Sequence, residues 1–136
     1  MHLVEFRQTP IGVLKMFPGI QFSLFESIMT ESLQGIVLET FGAGNIPGND
    51  SALLPIIKKA FDNGTIVTVC SQCQSGTVKL GAYETSAALT AAGAVSGYNM
   101  TTEAAVAKLY YLFSLSLERD QIKEYMEENL RGELTK

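Results

Sequence analysis

The sequence predicts a three-layer α/β domain in which a small parallel sheet of about four strands is flanked by helices. Three observations support this fold class. Short apolar runs alternate with stretches of helical periodicity, which is the element order of parallel sheets. The strand-like runs are apolar nearly throughout, as in strands that are buried on both faces. Polar or glycine-rich loops follow the second and third runs. In such sheets, ligand-binding and active sites are formed by the loops at the carboxyl ends of the strands.

The first part of the chain is expected to supply a strand and a helix. Residues 1–10 show no clear periodicity, and we interpret them as a linker or the start of a domain, so that the domain proper covers 11–136. A strand is predicted over 11–17, before a Pro-Gly pair. Apolar residues then recur at helical spacing over 22–29, and Gly35 is expected to end that helix.

The middle of the chain repeats the pattern. The apolar run 36–41 predicts the second strand. Residues 49–51 offer N-cap oxygens for a helix whose apolar face extends over 53–61. Asn63-Gly64 is expected to end this helix in the left-handed conformation. The β-branched run 65–70 then predicts the third strand.

The last part of the chain predicts three helices and one short strand. An alanine-rich helix is expected over 83–92, followed by a strand at 94–96. Thr101 is a predicted N-cap for a helix with an apolar stripe over 106–113. The final helix carries apolar residues over 122–130 and is expected to end at the following glycine.

Composition restricts the partners. The chain has 136 residues, of which 46% are hydrophobic, so one core can form without disulfides or metals. The net charge is −4 and no basic stripe is present, which argues against nucleic acid as a binding partner. No apolar run reaches about 18 residues, so no membrane partner is expected. Residues 1–7 lack the features of a secretory signal, and the chain has two cysteines, which favours a cytoplasmic location.

The first glycine-rich loop resembles a nucleotide-binding motif incompletely. Gly42-x-Gly44-x-x-Pro47 has the spacing of the dinucleotide fingerprint, but proline replaces the third glycine. That glycine normally permits close packing of helix and strand, so its loss counts against a dinucleotide site. A turn that only redirects the chain is the alternative.

The second loop contains a Cys-x-x-Cys spacing, Cys70 to Cys73, which fits a redox dithiol or half of a zinc site. Zinc would need two more ligands, and the only histidine is His2, so no metal or cofactor is expected. Cys70 ends a predicted strand and is interpreted as a core residue. Cys73 is interpreted as a small loop residue that can contact a ligand.

Catalytic groups are scarce. Ser71 and Ser75 flank the second loop, but no histidine is available to form a serine–histidine triad. Glu39 lies inside an apolar strand, so its charge should be paired or close to solvent, as a site residue or as a rim residue. Tyr83 could present its hydroxyl at a surface, with partial burial as the alternative. A group of glutamates on the last helix is interpreted as a solvated face: Glu124, Glu127 and Glu128.

Four segments in order resemble the C-terminal domain of cytoplasmic type I L-asparaginases, over about residues 11–135. They are Glu39-Thr40-Phe41-Gly42-Ala43-Gly44-Asn45-Ile46-Pro47, Ser71-Gln72-Cys73-Gln74-Ser75-Gly76, Asn99-Met100-Thr101-Thr102-Glu103-Ala104 and Leu130-Arg131-Gly132-Glu133-Leu134-Thr135.

The resemblance implies a flavodoxin-like C-terminal domain of a two-domain amidohydrolase that converts L-asparagine to L-aspartate and ammonia. In that family the catalytic threonines belong to the N-terminal domain, whose T-G-G-T and D-G-T-D signatures are absent from this chain. The resemblance therefore implies no catalytic residue here and an inactive isolated chain. The implied partners are an N-terminal asparaginase domain and further copies in a homo-oligomer.

The resemblance also implies site residues. Asn45 and Tyr83 would contact the substrate or active site of a neighbouring subunit. Cys73 matches the cysteine of a regulatory pocket that binds asparagine in bacterial members. Glu39 stands where those members carry an arginine that pairs with the ligand carboxylate, and it would repel that group. A free-standing domain that binds a small amino acid such as asparagine or aspartate is the alternative function, and a dithiol oxidoreductase is a third.

Overall fold

The structure is a computed structural model that describes residues 9–17, 19–40, 53–71, 89–130 and 132–134. One parallel sheet has the strand order β1-β2-β3-β4, which confirms the predicted sheet of four parallel strands. The strands are β1 (Ile11–Lys15), β2 (Gly35–Thr40), β3 (Ile66–Ser71) and β4 (Val95–Ser96). The helices are a 3₁₀ turn (Phe22–Phe25), a π-helical turn (Ile28–Ser32), α1 (Leu53–Asp62), α2 (Thr102–Phe113) and α3 (Arg119–Met126).

The helices cover both faces of the sheet, which confirms the three-layer architecture. Side chains alternate in direction along a strand, so β2 and β3 contribute to a separate core on each face. On one face Leu38 and Val69 pack with Ile57 of α1. On the other face Val37 and Cys70 pack in a second core, to which α2 and α3 contribute Leu109, Leu112, Ile122 and Met126.

Strand boundaries differ slightly from the sequence prediction, and the predicted role of Gly35 is wrong. β1 ends at Lys15 rather than at residue 17, and β2 begins at Gly35. The preceding helix ends earlier, at Leu33, whose backbone is extended. Gly35 pairs with Ile11 in the sheet, and a Cβ atom there would lie 3.1 Å from Cε2 of Phe113. The glycine thus allows the strand to pack closely against Phe113 of α2, which no local pattern shows.

Two predicted helix ends are confirmed. Gly64 has a φ of +95° just after α1, as expected for a left-handed stop. Thr101 caps α2, because its Oγ1 accepts a hydrogen bond from the Ala104 amide at 3.1 Å. The predicted cap at 49–51 lies outside the described residues. Of the alanine-rich helix predicted over 83–92, residues 89–92 are described; 89–91 are helical, and residue 92 already lies in a turn.

The last helix is shorter than predicted. It ends at Met126 rather than near residue 130, and Leu130 is 38% exposed. Beyond its end, the ammonium of Lys108 donates to the carbonyl oxygen of Met126 at 3.2 Å and to that of Glu128, and the Leu130 amide donates to Oε1 of Glu133 instead of to a helical carbonyl. Among the described residues, no helix is long and apolar enough to cross a membrane.

The outer edge of β4 is covered by α3. The amide of Ser96, which points away from β3, donates to Oε1 of Glu127 at 2.8 Å. At the other end of α3, the guanidinium of Arg119 donates to the carbonyl oxygen of Phe61 at 2.6 Å. Its Cζ lies 4.4 Å from the centre of the Phe61 ring. These contacts fasten α3 to the end of α1 across the edge of the sheet.

Candidate functional site

The carboxyl ends of the strands meet in one row at one edge of the sheet. The register pairs Lys15 with Glu39 and Glu39 with Cys70, while Ser96 lies beside the last part of β3. β2 and β3 therefore end at Thr40 and Ser71, side by side at the same edge. This is the arrangement from which open α/β sheets build ligand sites.

Glu39 lies at the centre of this row and is half-buried. Its Oε1 accepts a hydrogen bond from Oγ1 of Thr102 at 2.6 Å. Thr102 is the first residue of α2, so the carboxylate lies at the positive end of that helix, where a negative charge is favourable. The carbonyl oxygen of Glu39 also accepts from the Met16 amide at 2.9 Å. The end of β2 is thus bound both to its neighbouring strand and to α2.

Cys70 is a core residue, as the sequence predicted. It is completely buried, and the carbonyl oxygen of the same residue accepts from Oγ1 of Thr40 at 3.2 Å. Burial, together with the nearby Glu39 carboxylate, raises the pKa of the Cys70 thiol to about 12. Reactive cysteines need a lowered thiol pKa and access to solvent, so this environment opposes the dithiol oxidoreductase hypothesis.

The connection from β4 to α2 is a tight turn that closes the same edge. Gly97 donates to the carbonyl oxygen of Val69 at 2.8 Å, and the Tyr98 amide donates to Oγ of Ser96 at 3.0 Å. Tyr98 has a φ of +51°, which is unfavourable for a bulky residue. A Cβ at Gly97 would lie 2.7 Å from the Sγ of Cys70. The turn therefore packs directly on the buried thiol and holds a strained residue beside it.

A second polar cluster lies between α2 and the C-terminal residues. Lys108 is 7% exposed, and its ammonium lies 2.7 Å from Oε1 of Glu133. The same carboxylate oxygen accepts from the Leu130 amide at 2.9 Å. Beside this cluster is an apolar pocket of about 510 Å³, whose lining consists of Ala104, Ala107, Lys108, Tyr111, Leu130 and Glu133.

Sequence reasoning missed three charged residues of these clusters. Glu127 was assigned to a solvated face, but its carboxylate binds the Ser96 amide, so that interpretation is wrong for this residue. Lys108 and Glu133 were not singled out. Lys108 could have been identified from the sequence, because it lies on the same helical face as Ala105 and Leu112. A lysine on a buried face requires a hydrogen-bonding or charged partner.

The four residues expected to form sites have different outcomes. Glu39 lies at the carboxyl edge of the sheet, next to the start of the first loop. Asn45, Cys73 and Tyr83 lie outside the described residues, as do the Gly42–Pro47 motif and Ser75. Their roles stay predictions. Within the described ranges, no group of three or more His, Cys, Asp or Glu side chains could hold a metal ion.

The chain is similar to known proteins over nearly its whole length. Residues 10–126 match the family described as the glutaminase/asparaginase C-terminal domain. L-asparaginase 1 of Escherichia coli (strain K12) is 40% identical over 126 residues, which are 93% of this chain and 37% of that protein. The 60 kDa lysophospholipase of Homo sapiens is 38% identical over 126 residues, 92% of this chain and 22% of that protein.

A solved structure agrees with the fold. L-asparaginase I from Vibrio cholerae superposes with a TM-score of 0.90 at 41% identity, covering 98% of this chain and 40% of that one. The chain spans well under half of each of these relatives, so most of each relative has no counterpart here.

Proposed function

This chain belongs to the glutaminase/asparaginase C-terminal domain family, and from that premise we propose that it acts as the C-terminal domain of an L-asparaginase. Such an enzyme hydrolyses L-asparagine to L-aspartate and ammonia. The observation that supports the proposal most directly is the similarity to L-asparaginase I of Vibrio cholerae, with a TM-score of 0.90 over 98% of the chain. The proposed location is the cytoplasm.

The proposed partner is an N-terminal asparaginase domain that supplies the nucleophile. The chain contains neither a T-G-G-T nor a D-G-T-D segment, and its one histidine is His2. At the carboxyl edge the Glu39 carboxylate is bound to Thr102, and the Cys70 thiol is buried. The isolated chain should therefore release no ammonia from asparagine.

The proposed contribution of this domain is to complete an active site in a neighbouring subunit of a homo-oligomer. Asn45 and Tyr83 would contact substrate there. Support comes from the strand ends, because β2 and β3 finish side by side and Asn45 follows the last residue of β2 by five positions in the sequence. The contact between Glu39 and Thr102 would fix the end of β2 relative to α2.

The second part of the proposal concerns whether an amino acid effector acts at a site near Glu39 and Cys73. The Glu39 carboxylate would repel the carboxylate of a bound amino acid. We therefore expect asparagine not to activate this enzyme through a site at this edge, in contrast to a site with a cation at the same position.

The test joins this chain to the part of Escherichia coli L-asparaginase 1 that precedes its matching segment. The 136-residue chain alone and the joined protein are assayed for ammonia release from asparagine and from glutamine. The proposal expects an inactive chain and a joined protein that releases ammonia from asparagine. Activity of the pure 136-residue chain, or an inactive joined protein that folds normally, contradicts it.

A free-standing domain that binds a small amino acid is the second candidate. The contact of a half-buried carboxylate with the first residue of α2 favours it, because such a polar edge could hold an amino acid without chemistry. Calorimetry of the 136-residue chain with asparagine and with aspartate separates the two functions. Saturable binding by the isolated chain supports this candidate, and no heat of binding supports the first proposal.

A further inference from the structure

An apolar cavity lies between α2 and the C-terminal residues, and its volume is about 510 Å³. Small-molecule sites in proteins typically measure about 300 to 1,000 Å³ and combine a mainly apolar lining with a few polar groups. We call this space the α2 cavity. It meets both criteria, since its lining consists of Ala104, Ala107, Lys108, Tyr111, Leu130 and Glu133.

The spacing of residues on α2 accounts for one wall of the cavity. Ala104, Ala107 and Tyr111 lie three and four residues apart, so they share one face of the helix. The two alanines leave room beside the helix, and Tyr111 supplies an aromatic side chain one turn further along. Leu130 contributes an apolar side chain from the C-terminal residues. The space therefore follows from small side chains at two defined positions.

The C-terminal wall of the cavity is held in place by buried contacts. Met126 is completely buried at one end of this wall, and Leu134 is buried at the other. Between them, the Leu130 amide donates to Oε1 of Glu133 at 2.9 Å, and the ammonium of Lys108 lies 2.7 Å from the same oxygen. The wall is thus fixed without a ligand, so binding would require little reorganisation of the protein.

The charged groups of the cavity do not favour a charged ligand. The Lys108 ammonium has three hydrogens and already has three acceptors, which are the Glu133 carboxylate and the carbonyl oxygens of Met126 and Glu128. An anion would therefore lose its hydration without gaining a hydrogen bond from this lysine. A cation would meet the lysine charge itself. The ligand should be neutral, which excludes amino acids such as asparagine and aspartate.

We propose that the α2 cavity is a binding site for a neutral, mainly apolar small molecule. Burial of the apolar part of such a ligand against the alanines and Leu130 would provide the affinity. The ring of Tyr111 would favour ligands with a flat aromatic group, because stacked or edge-on aromatic contacts add to the effect of burial.

A partner protein fits the cavity less well than a small molecule. Among the described residues, seven large apolar side chains are exposed, and Leu130 is the only one of them that lines the cavity. Protein-binding surfaces are usually marked by a larger contiguous patch of exposed apolar side chains. The α2 cavity is instead a local depression, which favours a ligand that enters it completely.

The experiment compares two fluorescent probes that differ in one charged group. N-phenylnaphthylamine is neutral, and anilinonaphthalenesulfonate carries a sulfonate on the same ring system. The neutral probe should bind the 136-residue chain saturably and at least about tenfold more tightly, because only the other probe must bring an anion into the cavity. Fluorescence titration measures both affinities.

A substitution that fills the cavity tests the location. Ala107→Leu should weaken binding of the neutral probe by at least about tenfold, because the larger side chain occupies the space. Ala107 is exposed, so thermal unfolding should change little. The matched control is Ala91→Leu, at another exposed helical alanine that does not line the cavity, and it should leave binding unchanged.

Several results would overturn the proposal. Equal affinity for the two probes would do so, as would binding of the neutral probe that survives Ala107→Leu. If that variant does not fold, NMR of the unmodified chain decides, since the probe must shift the amide signals of Ala104, Ala107 and Leu130 more than those elsewhere.

Occupation of the cavity by protein is tested in the same way. Probe binding that weakens as the chain self-associates would assign the cavity to a second copy, and binding that is lost in the joined protein would assign it to the upstream part. Either result overturns the small-molecule site. Because the readout is binding rather than ammonia release, its failure would leave the proposed function intact.

Discussion

Two charged groups of this domain have opposite environments. Lys108 is buried, and its partners are the Glu133 carboxylate and two main-chain carbonyl groups. Glu39 is half-buried at the carboxyl edge, where it accepts from a neutral hydroxyl at the start of a helix. A buried and fully bonded charge maintains the fold. A half-buried charge at the carboxyl edge links β2 to α2. Substitutions at the two groups should therefore affect different measurements.

The largest expected effect is at the buried group. Lys108→Met should lower the free energy of unfolding by about 3 kcal/mol, because it leaves the Glu133 carboxylate, whose side chain is only 15% exposed, without its cation. Urea denaturation measures this. Lys58→Met is the control, since Lys58 and Asp62 form an exposed pair at 3.6 Å, and it should change stability by less than about 1 kcal/mol. If Lys108→Met and Lys58→Met lowered the free energy of unfolding equally, the buried ion pair would be no more important for stability than the exposed one.

The next effect concerns the turn that closes the carboxyl edge. Gly97→Ala should destabilise the domain by about 1 to 3 kcal/mol, because the new Cβ would lie 2.7 Å from the Cys70 Sγ and 3.0 Å from the Val69 carbonyl oxygen. Thermal unfolding measures it. Gly97→Ala in a Cys70→Ala background should cost less, since the sulfur contact is gone while the carbonyl contact remains. An equal cost in both backgrounds would show that the thiol does not limit the packing of this turn.

A smaller effect is expected at the Glu39 group. Thr102→Val removes the donor to the carboxylate at nearly constant volume and should cost about 1.5 kcal/mol. Thr102→Ser keeps the hydroxyl and should retain most of the stability. Chemical denaturation of the three proteins provides the comparison. In the joined protein, Thr102→Val should also raise KM for asparagine if the edge orients the loop after β2. An unchanged KM would restrict the contact to a structural role.

The last effect is absent at neutral pH and appears only under alkaline conditions. The folded-state thiol pKa of Cys70 is raised from 9.0 to about 12, so the folded protein retains a proton that the unfolded chain releases between these values. Stability is therefore complete below about pH 9 and falls as pH rises toward 12, by about 1.4 kcal/mol per unit. Denaturation across this range should show a shallower slope for Cys70→Ala. An identical slope in that variant would mean that other groups control the alkaline transition.

Much of the fold could be predicted from local patterns. The four strands follow from their apolar runs, and Thr101 and Gly64 were recognised because their roles depend on nearest neighbours in sequence. The errors depend on distant contacts. Gly35 is predicted to end a helix but lies in β2, close to Phe113, and the last helix ends at Met126, whose carbonyl oxygen accepts from Lys108. Neither contact is visible in a window of a few residues.

The candidate site was partly predictable for the same reason. A glutamate within an apolar strand requires a partner, and this singled out Glu39 before its contact with Thr102 was known. The same reasoning applied to a helix would have identified Lys108. The partner residues could not be named in either case, because they are 63 and 25 positions away in the chain. The assignments of Asn45, Cys73 and Tyr83 depend on family resemblance and stay predictions.

The hydrogen bond from the Ser96 amide to the Glu127 carboxylate makes the two outer edges of the sheet unequal as sites where a further strand could pair. An acidic side chain occupies the outward amide of the last strand, so a foreign strand that approached from that side would lose a hydrogen bond and meet a negative charge. Among the described residues, no strand pairs with the outer edge of β1. A module closed at one side and accessible at the other can be attached to a larger polypeptide without polymerising into fibres.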